Sequence, residues 1–252
     1  MKPEPLRIAM WSGPRNISTA MMRSFENRDD TTVIDEPFYA AYLALSGAEH
    51  PMREEVLRSQ PNDWRDVEPM LLGPCLAPIF YQKHMTHHML PGIGTHWMAQ
   101  CCNVFLIRRP NEVVASYRDK RGAVSLTDIG VVRQAELFDQ EADRLGHAPI
   151  VIDSSDVSAE PKIMLTALCD AIGIAFSPKM LSWPKGRRTS DGVWAPAWYD
   201  QVERSTGFVP RTATDPPALS PALAAVAAAA LPCYERLARW KIPRPATART
   251  GV

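Results

Sequence analysis

The segment Ile8-Ala-Met-Trp-Ser-Gly-Pro-Arg-Asn-Ile-Ser-Thr-Ala-Met-Met-Arg23 joins a short apolar stretch to a hydroxyl-rich one through a Gly-Pro pair. The apolar stretch predicts a buried first strand, which the Gly-Pro pair ends. A helix is predicted to begin near Ser18-Thr19, and its apolar side is formed by Met21, Met22 and Phe25. The segment therefore predicts a strand, turn and helix of the kind found in α/β proteins.

The turn between this strand and helix is a candidate anion site. The first amides of a helix have no acceptor within the helix, and the helix dipole adds partial positive charge there, so a phosphate or sulfate is stabilised. Arg15 adds a full charge. The alternative is that Ser18 or Thr19 only caps the helix. A Walker loop is excluded, because the segment lacks the second glycine and the lysine of Gly-x-x-x-x-Gly-Lys-[Ser/Thr].

Apolar runs alternate with helical patterns along the rest of the chain. A second strand is predicted within 31–39, where it ends at the carboxylate pair before Pro37, and further strands are predicted at 78–83, 103–108 and 149–153. Helices are predicted at 128–145, 158–173 and 221–240. Pro232 is expected to kink or break the last helix. Strands that alternate with helices predict a central parallel sheet flanked by helices, with right-handed crossovers. We expect one domain over residues 1–245 and a disordered tail over residues 246–252.

Composition narrows the class of protein. The 252 residues carry 28 Lys and Arg against 28 Asp and Glu, so the zero net charge predicts neither a nucleic-acid partner nor an acidic membrane surface. Apolar runs are too short for a membrane span, and the first residues lack a signal-peptide pattern, so a cytoplasmic location is expected. Five cysteines without Cys-x-x-Cys spacing predict neither a disulfide framework nor a zinc knuckle.

Two charged residues end predicted strands. Glu36 follows the second strand and Lys83 ends the third. Ligands of parallel sheets bind outside the carboxyl ends of the strands, which makes both residues candidates for a functional site. The alternatives are that Asp35 or Glu36 caps a helix that starts at Pro37, and that Lys83 is solvated.

Histidines are dense after the third strand. His84 and His88 would share one face if this run were helical, which is a spacing that suits a metal. However, no His-Glu-x-x-His pattern and no nearby acidic ligand completes a site. We therefore predict no metal, and expect these histidines to cap helices or to line a pocket.

Two further groups of basic residues are candidate anion ligands. Arg108 and Arg109 end the clearest strand, where an anion is a better partner than solvent. The glycine-containing loop Lys185-Gly-Arg187 suits a second phosphate, and the alternative is that this loop is solvated.

Four separated segments together resemble the sulfotransferases that use 3′-phosphoadenosine 5′-phosphosulfate (PAPS). Pro14-Arg-Asn-Ile-Ser-Thr19 is similar to the 5′-phosphosulfate loop of that family, Pro-[Arg/Lys]-Ser-Gly-[Ser/Thr]-Thr. Phe105–Tyr117 is similar to its 3′-phosphate motif, with an arginine at Arg108 and a serine at Ser116. Residues 150–176 resemble its Glu-Asp-Leu strand and Leu-Gly-x-x-Phe segment, and Lys185-Gly-Arg187 is placed like its late basic loop. The resemblance covers most of residues 5–210.

The resemblance implies a single P-loop-NTPase-like α/β domain and transfer of a sulfuryl group to a hydroxyl or amine of a small-molecule or lipid-like acceptor. It implies PAPS as donor, adenosine 3′,5′-bisphosphate as product, and no metal. The implied catalytic residues are Glu36 as base, with Arg15 and Lys83 neutralising the leaving group. The implied donor-binding residues are Pro14, Arg15, Asn16, Ile17, Ser18, Thr19, Arg108, Ser116, Lys185, Gly186 and Arg187.

The chain also departs from this family. Asn16-Ile17 replaces the usual Ser-Gly pair, and Met85 stands where cytosolic members place a histidine base. Glu36 is therefore the preferred base, with His84 or His87 as the alternative. Two other functions remain open at this point: a nucleotide-dependent kinase or hydrolase, and a non-catalytic nucleotide-binding protein of the same fold.

Overall fold

A parallel sheet forms the centre of the fold in a computed structural model, which describes residues 4–121, 124–209 and 218–244. The strands within these ranges are β1 (Leu6–Ser12), β2 (Thr31–Asp35), β3 (Ile79–Met85), β4 (Cys102–Ile107) and β5 (Ile150–Asp153). Their order is β2-β3-β1-β4-β5, and every neighbouring pair is parallel. The predicted α/β class with a central parallel sheet is confirmed.

Helices connect the strands and pack on the sheet. They are α1 (Ser18–Glu26), α2 (Tyr39–Ser46), α3 (Arg53–Ser59), α4 (Trp64–Leu72), α5 (Pro110–Arg121), α6 (Val131–Leu145), α7 (Ser154–Ala159), α8 (Pro161–Ile172), α9 (Ala195–Trp198), α10 (Asp200–Arg204) and α11 (Pro221–Ala238). Short 3₁₀ turns cover Thr86–His88, His96–Gln100 and Pro178–Leu181. None of the helices in the described ranges is long and apolar enough to cross a membrane.

The central strand β1 supplies side chains to two apolar clusters. Ile8 and Met10 pack in a cluster that includes residues of α1 and α8, whereas Ala9 and Trp11 belong to a cluster that includes residues of α6 and α11. Successive side chains of a strand point to opposite faces, and a parallel strand covered on both faces is apolar throughout. The apolar run at the start of the chain is therefore explained by burial on both sides of the sheet.

Two local expectations differ from the structure, and a third concerns residues outside it. The helix expected from residue 128 begins at Val131, because Gly130 adopts a left-handed conformation with φ of 66° immediately before it. Helix α11 continues through Pro232 without a break. Pro232 and Ala228 are both exposed, so water can bind the carbonyl that loses its partner. The tail expected over residues 246–252 lies outside the described residues.

Candidate active site

A cavity of about 480 Å³ opens at the carboxyl edge of the sheet, and its size is in the range of small-molecule sites, roughly 300–1,000 Å³. Most of the residues that the sequence singled out lie in its wall. They are Pro14, Arg15, Asn16, Ile17, Ser18, Thr19, Glu36, Lys83, Arg108 and Ser116. The structure thus brings together side chains from the ends of several strands, as expected for a parallel sheet.

The backbone is strained at this cavity. Four non-glycine residues in the described ranges have positive φ, and three of them line the cavity: Arg15 at 58°, Ile17 at 49° and Glu36 at 41°. Such conformations cost about 1–3 kcal/mol each and cluster at functional sites. The strained backbone therefore indicates that this edge of the sheet is a functional site.

The loop before α1 presents free amides to the cavity. Ile17 is the residue that precedes the helix, and no side chain caps this end, so neither Ser18 nor Thr19 acts as the cap. The first bond of the helix runs from Met21 N to Ile17 O over 3.0 Å, which leaves the amides of residues 18–20 without an acceptor in the helix. The amides and the helix dipole together make this loop suitable for an anion.

Asn16 anchors this loop to the sheet. Its side chain is 3% exposed, and Nδ2 donates to Leu106 O in β4 over 2.6 Å. Gln134 of α6 donates to the same carbonyl over 2.9 Å. A residue that departs from the family pattern therefore gives the loop a fixed attachment to the neighbouring strand.

The two segments assigned to different phosphates contact each other directly. Arg15 Nε donates to Ser116 Oγ in α5 over 3.0 Å. Buried Arg108 donates from Nη1 to the carbonyl of Arg15 and from Nε to Glu112 Oε2, the latter over 3.0 Å. Arg108 thus supports the loop before α1 at the same time as it places positive charge at the cavity wall.

Lys83 lies at the centre of a buried cluster of charged groups. Its ammonium donates to Asp35 Oδ1 over 2.9 Å, to the hydroxyl of Tyr199 over 2.7 Å, and to Glu36 Oε1. The side chain of Lys83 is 1% exposed. An ammonium has three donors, so these three bonds use all of them.

The two adjacent carboxylates have different surroundings. Both oxygens of Asp35 are occupied, since Oδ1 accepts from Lys83 and Oδ2 accepts from Tyr199 over 2.7 Å and from Gly192 N over 3.1 Å. Glu36 uses Oε1 for Lys83, and within the described ranges no donor lies at hydrogen-bond distance from its Oε2. His88 Nε2 lies 4.0 Å from this oxygen. Of these two carboxylates, Glu36 is the one that keeps an oxygen without a hydrogen-bond donor among the described residues.

Burial and charge shift the proton affinities of this cluster. Burial raises the pKa of Glu36 above 4.5, Lys83 opposes that effect, and Asp35 adds to it. Burial alone would lower the pKa of Lys83, but the two carboxylates outweigh it and raise that pKa. Burial, followed by Asp35 and Glu36, raises the pKa of Tyr199 well above 10. At neutral pH Lys83 is therefore an ammonium and Tyr199 a neutral phenol, and both lie beside Glu36, whose pKa is raised.

The histidines occupy separate places. His84 is part of β3 and stacks on Trp11 with ring centroids 4.5 Å apart, away from the cavity wall, so the helical arrangement considered for His84 and His88 is not formed. His88 lines the cavity, stacks on Tyr39 at 4.5 Å, and has a pKa lowered well below 6.5, mainly by burial. His87 also lines the cavity. No cluster of three metal-ligand side chains occurs in the part of the chain that the structure describes.

The basic loop at Lys185-Gly186-Arg187 does not reach the cavity wall. Lys185 and Arg187 are exposed, and Arg187 Nε donates to Glu203 Oε1 over 3.2 Å. The cavity wall nearby is formed by Arg204 and by residues 205 and 207–209. The assignment of this loop to a phosphate stays a prediction, and the arrangement in this structure does not support it.

The sequence did not identify Tyr199 as part of the site. Tyr199 is 4% exposed, and its hydroxyl contacts the ammonium of Lys83 and the carboxylate of Asp35. Trp194 Nε1 donates to the same hydroxyl over 3.1 Å. A buried tyrosine hydroxyl needs a partner, but the aromatic stretch 194–199 carries no sign of which one it finds.

Comparison with known families and sequences identifies the family of this chain. A family model described as "Sulfotransferase domain" matches residues 6–239. Two curated proteins of Arabidopsis thaliana are similar to this chain. Branched-chain-amino-acid aminotransferase-like protein 1 is 36% identical over 81% of this chain, and branched-chain-amino-acid aminotransferase-like protein 2 is 34% identical over 80% of it. The chain spans only 37% and 36% of their lengths, so their names describe much longer proteins.

Solved structures share the fold. A sulfotransferase domain from the curacin biosynthetic pathway superposes with a TM-score of 0.55 at 16% identity, over 91% of this chain and 98% of that one. A sulfotransferase from Alicyclobacillus acidocaldarius superposes with a TM-score of 0.54 at 14% identity, over 95% and 98%. At these identities the likeness concerns the fold alone.

Proposed function

Because this chain belongs to the sulfotransferase domain family, we propose that it transfers a sulfuryl group from PAPS to a hydroxyl or amine of a small-molecule or lipid-like acceptor. The observation that carries the proposal is the free Oε2 of Glu36, which lies in the same cavity as the anion-binding loop before α1. A base and an anion site in one cavity are the two requirements of this transfer.

The residues present suit a donor with two anionic ends. The amides of residues 18–20 and the side chain of Arg15 provide positive potential at the loop, and Arg108 and Ser116 provide it at the adjacent wall. When bound, PAPS supplies an activated sulfuryl group on a phosphate leaving group. The loop amides and Arg15 stabilise the negative charge that develops there, by analogy with phosphoryl transfer.

Glu36 accepts the proton of the acceptor at Oε2. Its other oxygen is held by Lys83, and its own amide donates to Lys83 O over 3.0 Å, so the carboxylate has a fixed orientation. Removing the proton as the acceptor attacks makes the oxygen or nitrogen a better nucleophile. Lys83 acts here through Glu36, because contact with a leaving group would require it to give up one of its three bonds.

Calorimetry tests the donor. We expect adenosine 3′,5′-bisphosphate to bind at least about tenfold more tightly than adenosine 5′-monophosphate, because only the bisphosphate engages both anion ligand sets. ATP with magnesium is the control for a kinase or hydrolase. Equal binding of the two adenosine phosphates, or preferential binding of magnesium ATP, would contradict the proposed donor.

A further inference from the structure

Tyr199 connects a distant segment to the base. Its hydroxyl accepts from Lys83 Nζ over 2.7 Å and from Trp194 Nε1 over 3.1 Å, and donates to Asp35 Oδ2 over 2.7 Å. Glu36 Oε1 lies 3.4 Å from the same hydroxyl. One phenol oxygen is therefore placed among the three charged groups of the cluster, and it is held there by an indole.

Asp35 has no capacity left to serve as a base. Its oxygens accept from Lys83, from Tyr199 and from the backbone of Gly192. Asp35 is also only 4% exposed, so an acceptor in the cavity does not reach its carboxylate. Its charge nevertheless acts on both neighbours, since it raises the pKa of Lys83 and that of Glu36.

We propose that Asp35 and Tyr199 are positioning residues, which hold the ammonium of Lys83 so that Glu36 keeps one carboxylate oxygen free toward the cavity. The inference rests on the proposed function, in which Glu36 is the base. Both residues hydrogen-bond to Lys83 and to each other, so they act on the orientation of Glu36 through Lys83. The charge of Asp35 and the hydroxyl of Tyr199 act directly on the ionisation of Glu36.

The segment that carries Tyr199 is fixed at two points. Gly192 N binds Asp35 at the end of β2, and one residue earlier Asp191 accepts from Arg23 Nη2 of α1 over 2.6 Å. The side chains of Arg23 and Asp191 are 0% and 3% exposed. Because both anchors are buried, they fix the position of this segment relative to the strand ends. The Tyr199 hydroxyl is thereby held in place, as a positioning residue requires.

The charged and titratable groups that face Glu36 come from each neighbouring element. Asp35 adjoins it at the end of β2, Lys83 lies on β3, Tyr199 lies between α9 and α10, and His88 lies in the 3₁₀ turn after β3. The ammonium and the phenol stabilise the ionised carboxylate, whereas Asp35 destabilises it. Opposite effects on Glu36 are thus expected from removing Tyr199 and from removing Asp35.

Carbon-13 NMR of the nucleotide-free protein measures this directly. With carboxyl-labelled glutamate, the Glu36 signal is identified by its loss in Glu36→Gln. We expect Tyr199→Phe to raise the titration midpoint of Glu36, and Asp35→Asn to lower it, each by about one pH unit. Tyr39→Phe is the matched control, because Tyr39 lines the same cavity but its hydroxyl pairs with His50 Nδ1 over 2.8 Å, and it should leave the midpoint in place.

The acidic limb of the pH–rate profile should move in the same directions as the NMR midpoints. An unchanged Glu36 midpoint in Tyr199→Phe would overturn the inference. This test does not depend on Asp35→Asn, so it holds even if that variant does not fold. Shifts of the same sign in both variants would also overturn it, because a general structural disturbance explains them. Shifted midpoints in a protein that binds no adenosine 3′,5′-bisphosphate would instead reject the proposed function and keep the positioning network.

Discussion

Arg15 Nε donates to Ser116 Oγ over 3.0 Å, and this bond joins two residues 101 positions apart. Arg15 belongs to the loop before α1 and Ser116 to the second turn of α5. The bond means that the two candidate anion-binding segments form one continuous surface, because the guanidinium of the first lies against the hydroxyl of the second. A ligand that carries both anions meets a prearranged wall, and less ordering of side chains is needed on binding.

Arg108→Ala should weaken binding of adenosine 3′,5′-bisphosphate by about 10- to 100-fold, because it removes a buried positive charge and the support of the Arg15 carbonyl. Arg109→Ala is the matched control, since Arg109 is the next residue but is exposed. Calorimetry measures both. Equal losses in the two variants would show that Arg108 contributes only to the general potential.

Glu36→Gln should leave bisphosphate affinity within about twofold and reduce the rate of transfer by about 10²- to 10⁴-fold. Glutamine keeps the shape of the side chain and an acceptor for Lys83, but its amide cannot take a proton. Single-turnover transfer with labelled donor measures the rate. A variant that keeps the rate of the unmodified protein would show that another residue is the base, and His87 and His88 are then the side chains to replace.

The pH dependence of transfer should show an acidic limb centred above pH 4.5. Burial raises the pKa of Glu36, so its carboxylate becomes protonated, and unable to act as base, at a higher pH than an exposed glutamate. Rates fall as the pH decreases through this pKa. The limb should be lost in what remains of the activity of Glu36→Gln, and its persistence there would assign it to a different group.

Ile17→Gly should give a protein about 1 kcal/mol more stable than Ile17→Ala, although glycine is the smaller residue. Ile17 has a φ of 49°, a conformation that a branched side chain adopts at a cost and that glycine adopts freely. Both variants lose the packing of the side chain, so their difference isolates the backbone. Urea unfolding measures it, and a more stable alanine variant would mean that the left-handed conformation is not kept in solution.

His84→Phe should reduce the loss of stability on acidification. Burial lowers the pKa of His84 from 6.5 to about 3, so between these values the unfolded chain binds a proton that the folded protein does not. Stability attributable to this residue is therefore present above pH 6.5 and declines below it, by about 2 kcal/mol at pH 5. Phenylalanine can keep the stacking on Trp11 and has no such titration.

Urea unfolding at pH 7.5 and pH 5 tests this expectation. The decrease in unfolding free energy should be about 2 kcal/mol smaller in His84→Phe than in the unmodified protein. His147→Phe controls for the loss of an exposed imidazole. If both variants follow the unmodified protein, acid destabilisation comes from other groups.

The strands and the residues at their ends were predictable because they depend on local pattern. The run from Asn103 to Ile107 is apolar without interruption, and β4 is buried on both faces. Glu36 was found because it directly follows a strand, and the edge of a parallel sheet is where such residues meet. Signals of this kind require only neighbouring residues and the period of the backbone.

The rest of the site depends on contacts that the sequence does not encode locally. Tyr199 lies 164 residues from Asp35, and nothing near it in the chain indicates that its hydroxyl meets a carboxylate. The role of Lys83 at a leaving group stays a prediction, and its bonds to Asp35, Glu36 and Tyr199 were not foreseen from the sequence. The basic loop Lys185-Gly186-Arg187 carries a local signal for an anion site, but Arg187 pairs with Glu203 on the surface. Arg204, which carries no such signal, lines the cavity because of the fold of the chain.

The buried pair of Arg23 and Asp191 limits how far the protein can be shortened. Among the described residues β5 is the last strand and ends at Asp153, so a fragment that stops soon afterwards would contain all five strands β1–β5. That fragment would lack the carboxylate of Asp191 and leave Arg23 with Glu26 Oε2, at 3.3 Å, as its acidic partner, and breaking a buried pair in this way costs about 3–5 kcal/mol. A minimal folding unit must therefore extend beyond Asp191, and an expression fragment designed on the sheet alone should aggregate.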